Sequence, residues 1–534
     1  MKTRFCLILA VLTVCITAFA DVHISVSHPE TWSAEELRPY IGKTVVFDVP
    51  IVVCSNYRGY TVSTRRLFTG TNQARPRSSA YTNILRLNQS GAMNLNGVSG
   101  YHRCGEKIYN LRAKVNSTND LTMLEGEWRG NTRAELEAGI PDLGDYRLLI
   151  CTFNLEYYLA TDYDPNSTMG PDNQAQHDKQ RTKINKALTR INADAYGFVE
   201  IQQGSVASKE IADDLNNSIP GRNYTFIQDN TAVNGTYTKS AFVYDRNKLR
   251  PIGKVQQIDD GVQNRKMMIC MEEIATHEKF IFSVNHFKAK SGSGQGGDAN
   301  QNDGQGSFNA TRCKEAAAVL DKYKGYRNDI IDGTRHLTEK DILIMGDLNA
   351  YGKEDPIMKF LDAGMIDLHR AFHADSSYSY QYSGLAGYLD HAICNATLYA
   401  QVTGVAGFHI NSDELDDYTY DKSNDLSMFR CSDHDPVLVG LKLDSTLTYD
   451  PTVSLNQLEV LNGMADELTI QNAYKEGQHS YYAVYDIYGR LISKAAKHPI
   501  ESNLQVVEKP LAPGVYILYI YYDRDVYRKT FIVR

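Results

Sequence analysis

Tryptophan is scarce in this chain of 534 residues, which has only Trp32 and Trp128. Both lie in the first quarter, so the middle of the chain has no tryptophan to seat a lipid-inserting loop. Long apolar runs are missing beyond the first twenty residues, and this leaves no candidate for a membrane-spanning helix. Cysteine is sparse, with nine in all, and none shows the close spacing of a zinc site. Acidic residues are rare between Tyr40 and Asn116, where eleven Lys and Arg face only Asp48 and Glu106. A block of +9 in a chain of net charge -8 points to an anionic polymer as partner.

Met1 to Ala20 has the three parts of an export signal. Lys2 and Arg4 give the positive start, Phe5 to Ile16 the apolar core, and Ala18-Phe19-Ala20 the small-residue cleavage site. Secretion is therefore expected, with no stable membrane insertion. Seven cysteines follow the signal, an odd number that cannot pair completely within one chain. Cys54 with Cys104 is the first candidate disulfide in an oxidising compartment, whereas Cys151 and Cys394 sit in apolar runs as buried thiols would.

Three parts follow the signal. Residues 21–144 hold short β-branched runs such as Thr44 to Val53, Asn83 to Leu87 and Leu121 to Gly126, which predict strands separated by Gly, Asn and Ser turns. A small OB-like β-barrel is expected, whose arginines, Arg58, Arg65, Arg66 and Arg86 among them, interleave with tyrosines as nucleic-acid binding requires. Residues 145–445 alternate strands with helices over 178–191 and 309–323, predicting an α/β layered sandwich of two packed sheets flanked by helices. Residues 446–534 read as a small all-β module.

Polar clusters close several of the middle part's apolar runs. They are Asn154, Glu200, His286, Asp347 with Asn349, Asp390, and Ser432-Asp433-His434-Asp435-Pro436. A strand ends where Gly and polar side chains interrupt it, so these groups gather along one rim of a sheet. Carboxylates and imidazoles on a shared rim suit metal-assisted hydrolysis of a phosphodiester. Between 291 and 306, Asp298-x-Asn300-x-Asn302-Asp303-Gly304 approximates a calcium loop, with its Gly one place late and no closing Glu. The favoured reading of this stretch is a flexible substrate-side loop, with a calcium site as the alternative.

In the order of its motifs the middle part resembles the endonuclease/exonuclease/phosphatase superfamily, in particular its bacterial extracellular nucleases. Thr152-Phe153-Asn154, the run ending in Glu200, Asn264-Arg265, Asn285-His286-Phe287-Lys288, Gly346-Asp347-Leu348-Asn349-Ala350, Leu389-Asp390-His391 and the 432–436 pentapeptide carry the likeness. The resemblance implies Asn154 and Arg265 at the phosphate and Glu200 and Asp433 on Mg²⁺ or Mn²⁺, with Ca²⁺ as a further candidate ion. It implies His286, Asp347, Asn349, Asp390 and His434 in the chemistry, with His434 moving a proton and Asp390 fixing its tautomer. The usual acidic partner of His286 is expected near 236–240, and none is there. The C-terminal YDIYGR, LAPGVY and KTFIVR stretches resemble the sorting domain of the type IX secretion system, which implies handling by that machinery.

The leading expectation is a secreted, divalent-metal-dependent nuclease of DNA, with RNA as a further substrate, leaving 5′-phosphates. A lipid phosphodiesterase or inositol-type phosphatase of the same superfamily is the alternative within enzymes. A nucleic-acid-binding adhesin without catalysis is the alternative outside them. Oligomeric state is not readable from the sequence.

Overall fold

The computed structural model describes residues 21–163, 169–228, 238–261 and 265–444, together with strands between 459 and 533. Residues 1–20, Asn264, Ile487 to Arg490 and Leu511 to Pro513 lie outside the described residues.

The first part winds its strands into a closed sheet. The strand Lys107–Ser117 pairs with both Thr44–Phe47 and Ile51–Ser55 on one side and with Asp120–Arg129 on the other. Closure comes through Tyr60–Ser63 and Met93–Asn96, the latter running parallel to Asp120–Arg129. The β-branched run from Thr44 is two strands, not one, because Pro50 lacks the N–H that would continue the ladder. Asn83 to Leu87, expected as a strand, instead lies within the helix Ser79–Gly91. Ser78 accepts from the Tyr81 N–H, and such a cap commits the following turn to a helix whatever the β-propensity beyond it.

The middle part contains two six-stranded sheets among the described residues. One orders its strands Tyr224–Phe226, Thr238–Asp245, Ala195–Gln202, Leu148–Tyr158, Val437–Leu441 and Val402–Gly407. The other runs Leu249–Gln257, Lys266–Glu273, Lys279–His286, Ile342–Asp347, Asp390–Cys394 and Ile366–Asp367. Their inner faces share one core, in which Ile150, Val199 and Val439 meet Phe282, Val284 and Met345. Helices Gln174–Ile191 and Val206–Ser218 cover the outer face of the first sheet through Ile184, Leu188, Ile211 and Leu215. Helices Asn309–Tyr326 and Asp355–Asp362 cover the second through Ala316, Val319, Ile357 and Phe360. This is the expected α/β sandwich. Central strands such as Ile342–Asp347 are buried along their whole length, as strands covered on both faces must be.

The described part of the C-terminal segment is all strand, in a three-stranded and a four-stranded antiparallel sheet. No helix among the described residues is long and apolar enough to cross a membrane.

Candidate active site

Strand register assembles the site's first row. Lys279–His286 runs parallel to Ile342–Asp347 with His286 opposite Asp347, and Asp390–Cys394 lies antiparallel on the far side with Asp390 opposite Asp347. Three titratable side chains therefore stand side by side at the sheet end. Gly346 makes the approach possible. Its φ is 121°, and a Cβ there would sit 2.1 Å from the carbonyl oxygen of Asn285.

The segment before the strand Val437–Leu441 delivers His434 to this row. Ser432 Oγ donates to the carbonyl of Asn154 at 2.7 Å and accepts from the His434 N–H, which ties the segment to the strand Leu148–Tyr158. Asp435 faces away from the cleft and is buried, accepting from the Asn411 and Ser412 N–H groups and bonding His409 at 2.9 Å. His434 Nδ1 lies 2.6 Å from Asp390 Oδ2. Its Nε2 faces Asp347 at 3.9 Å and Asp433 at 4.0 Å. Burial alone would lower the imidazole pKa, but the carboxylates of Asp390, Asp433 and Asp347 hold it well above its usual value. Asp347, Asp390 and His434 could also be grouped as metal donors, since their ligand atoms lie within 4.8 Å of one another. With Nδ1 committed to Asp390, His434 keeps Nε2 alone for the cleft, an arrangement suited to proton handling.

His286 has the opposite electrostatics. Its Nδ1 is 3.1 Å from Arg265 Nη1, and a guanidinium can only donate, so Nδ1 accepts and the ring proton is on Nε2. Burial first, then the positive charge of Arg265, push its pKa well below the ordinary value. Neutral His286 turns Nε2 toward Glu200 Oε1 at 3.6 Å and Asp347 Oδ2 at 3.8 Å. The acidic partner missing from the sequence thus has a cation in its place among the described residues, and a donor ring results either way.

Asp347 is held from three sides. Asn349 donates its backbone N–H to Oδ1 at 2.8 Å, and the Asn154 amide reaches Oδ2 at 3.2 Å, beside that of Asn349 at 3.3 Å. Asn349 takes φ 48°, a left-handed turn that Asn tolerates. Burial raises the Asp347 carboxyl to about 7.

Beside this row opens a cleft of about 540 Å³, lined among others by Glu156, Glu200, Asp433 and His434. Burial and the neighbouring Asp433 raise Glu200 to about 7 and Glu156 to about 8. Both glutamates have positive φ, 58° and 51°, a conformation costing on the order of 1–3 kcal/mol that persists only where the surroundings enforce it. Glu156 Oε2 is buried without a hydrogen-bond partner. Crowded carboxylates with an unsatisfied oxygen have the donor chemistry of a hard divalent cation.

The predicted residues of the middle part thus converge: Asn154, Glu200, Arg265, His286, Asp347, Asn349, Asp390, Asp433 and His434. His391 points elsewhere, its Nε2 against the Ala350 carbonyl at 2.7 Å. Sequence reasoning missed Glu156, two places after Asn154, and Ser379, whose Oγ donates to Asp390 Oδ2 at 2.7 Å. It also missed Tyr380, whose ring packs 4.7 Å from that of His434. Only the Asn-x-Glu spacing was a usable signal, since the other two sit in a Ser/Tyr-rich stretch with no distinguishing pattern.

Two expectations need correction, and one less favoured alternative is set aside. Arg65 and Arg66 do not form an open basic face. Arg65 donates to the carbonyls of Pro29, Trp32 and Leu87, and Arg66 pairs with Asp413 at 2.6 Å. Arg58 and Arg86 remain exposed. The 298–304 loop does not converge on a calcium ion. Asp298 accepts from Thr311 N and Oγ1 at the start of a helix, and Asp303 accepts from Gln305 and pairs with Arg77. Cys54 and Cys104 are free thiols, as are the other five cysteines among the described residues.

No family model matches the chain, and no curated protein does. Solved structures similar to it include an endonuclease/exonuclease/phosphatase family protein of Bacteroides thetaiotaomicron, at 15% identity and TM-score 0.38, covering 57% of this chain and 99% of that one. A mannosyl-6-phosphatase of the same species matches at 14% identity and TM-score 0.37, covering 55% and 100%. D. rerio TDP2 with a single-strand DNA product matches at 13% and 0.36, covering 55% and 99%.

Proposed function

We propose that the protein is a divalent-metal-dependent phosphodiesterase of the endonuclease/exonuclease/phosphatase type, acting on DNA, and on RNA as a further substrate, outside the cell. The observation that carries this reading is the placement of two rings with opposite partners at Asp347, His434 bonded through Nδ1 to the Asp390 carboxylate and His286 through Nδ1 to the Arg265 guanidinium. Two imidazoles held in this way can hand a proton to one oxygen and hydrogen-bond another. Glu200 and Asp433, with the unpartnered Glu156, are the residues that would hold Mg²⁺ or Mn²⁺. When bound, the ion neutralises phosphate charge and stabilises the oxygen that develops negative charge.

The side chains have separable tasks. Asp390 keeps the His434 proton at Nδ1 and leaves Nε2–H directed at the reacting oxygens. Asp347, fixed by Asn154 and Asn349, orients the attacking water. His286 Nε2–H and the amide of Asn154 donate to non-bridging phosphate oxygens, while Arg265 holds His286 neutral and adds positive charge behind it. Both donors are preorganised, so little reorganisation accompanies charge development.

The exposed Lys43, Arg58, Arg86, Lys107 and Lys114 of the first part support a polyanionic substrate. We read the closed N-terminal sheet as an OB-like module, residues 1–20 as an export signal, and residues 446–534 as a secretion-sorting module. Digestion of plasmid DNA with Mg²⁺, repeated with chelator and with His434→Ala, tests the activity. Absence of metal-dependent cleavage of any nucleic acid would sink it.

One observation favours a second reading. Asp172, Gln176, Asp416, Thr419 and Asp421 also line the cleft, and these acceptors suit a hydroxyl-rich group next to the phosphate. An inositol-type phosphatase would release inorganic phosphate from such polyol esters while sparing DNA.

A further inference from the structure

The hairpin Tyr380–Tyr382 and Leu385–Gly387 stands between the N-terminal barrel and the proposed catalytic row. Its outer side is bonded to the barrel at several places. Leu67 and Thr69 pair with Ala386, the Ala386 N–H donating to the Leu67 carbonyl and the Thr69 N–H to the Ala386 carbonyl, each at 2.9 Å. Asn72 donates to the Ser377 carbonyl at 3.3 Å and accepts from the Tyr388 N–H at 3.1 Å. Gln381 is gripped at both ends of its amide. Its oxygen accepts from Arg66 at 2.7 Å, and its nitrogen donates to the Cys54 carbonyl at 2.9 Å. The Arg66 guanidinium also covers the Tyr378 ring at 4.9 Å.

The inner side of the same hairpin meets the site. Ser379 Oγ accepts from the Leu389 and Asp390 N–H groups, both at 3.2 Å, and donates its proton to Asp390 Oδ2. That oxygen is the one bonded to His434. The Ser379 carbonyl accepts from the Asp435 N–H at 2.8 Å, and Tyr380 packs on the imidazole. One short segment therefore touches the barrel on one side and aims both members of the Asp390–His434 pair on the other.

We infer that the N-terminal barrel is a working part of the catalytic apparatus, with Asn72 and Gln381 as positioning residues that hold Ser379 and, through it, the geometry of Asp390 and His434. The inference rests on the reading of that pair as the proton-handling element. A displacement of well under an ångström at an oxygen shared by two donors changes the direction of the His434 ring, and rates respond steeply to such misplacement. Nothing in this role needs the barrel to touch substrate.

The test uses the full chain with Asn72→Ala, Gln381→Ala and Ser379→Ala, against Arg77→Ala as control. Arg77 bridges the same two parts through Asp303 but contacts no hairpin residue. Two readouts are followed: kcat and KM on plasmid DNA across pH, and the downfield Nδ1–H proton resonance of His434 in substrate-free protein, assigned by its loss in His434→Ala. The three variants are expected to lower kcat by about tenfold to a hundredfold with little change in KM, and to shift or broaden the resonance. Arg77→Ala is expected to leave kcat and the resonance unchanged, even where it raises KM or lowers the melting temperature. A wild-type resonance and wild-type pH profile in Asn72→Ala and Gln381→Ala would overturn the inference. If the wild type cleaves no nucleic acid, the proposed function fails on its own, and the resonance still decides whether the barrel positions the pair.

Discussion

His434 presents Nδ1 to Asp390 Oδ2 at 2.6 Å, which leaves Nε2 as its one nitrogen facing the cleft. Asp390→Asn keeps the size and removes the charge that fixes this tautomer. The expected loss in kcat is on the order of 10²–10⁴, with KM little affected. Steady-state cleavage of a labelled duplex measures both.

Stability should fall as pH rises above neutrality in metal-free protein. Glu156 and Glu200 are raised above the ordinary carboxylate range, so the folded state holds protons that the unfolded state has released. His434 acts in the same direction, since its stabilising charge is complete below the ordinary histidine pKa and lost as pH rises through the elevated folded value. His286, His369 and His391, held below the ordinary histidine value by burial, act oppositely at acid pH, so thermal melts in chelator should drop as pH rises from about 7 to about 8. Added Mg²⁺ or Mn²⁺ should raise the melting temperature more at pH 8 than at pH 5.5. Equal shifts at both pH values would argue against the carboxylate cluster as the cation site.

Arg103 is buried against Glu414, with further donation to the Asn131 and His409 carbonyls. Arg103→Ala should cost about 1–3 kcal/mol, since Arg133 and Tyr101 still bond Glu414 while the Asn131 and His409 carbonyls lose their donor. Urea unfolding of the full chain reads this directly. Arg112→Ala, at the partly exposed pair with Asp21, should shift the midpoint little.

The arginines of the barrel should divide by where their heads lie. Arg58→Ala and Lys107→Ala should weaken DNA binding and reduce the slope of log affinity on log salt by about one each. Arg65→Ala should instead lower stability and leave that slope alone, since its head is bonded to three carbonyls. Fluorescence anisotropy at several salt concentrations separates the two classes.

All seven cysteines among the described residues are free, six of them buried. Intact masses measured with and without reductant should agree, and alkylation of the native protein should be confined largely to the half-buried Cys313.

The residues that meet at the candidate site were legible in the sequence because strands end where Gly and polar groups begin, as at Gly346-Asp347. Register then did what no local pattern states, placing His286 and Asp390 on either side of Asp347. The helix at Ser79–Gly91 was misread because Ile84-Leu85 looks β-prone, while the deciding signal was one capping hydroxyl at Ser78. The basic block was misjudged for a different reason. The partners of Arg66 and Arg103, Asp413 and Glu414, lie more than three hundred residues downstream, so a charge count along the chain cannot see the neutralisation. Ser379 was invisible for the same reason of distance in space.

The pairing of Leu67 and Thr69 with Ala386 has a practical consequence. Excising residues 145–445 as a free-standing enzyme would expose the Ala386 N–H and carbonyl on a bare strand rim beside the exposed Tyr382. Such an edge is a template on which another chain can add itself. The shortened protein should therefore tend to self-associate, and would make a poor stand-in for the intact molecule even where its sandwich folds.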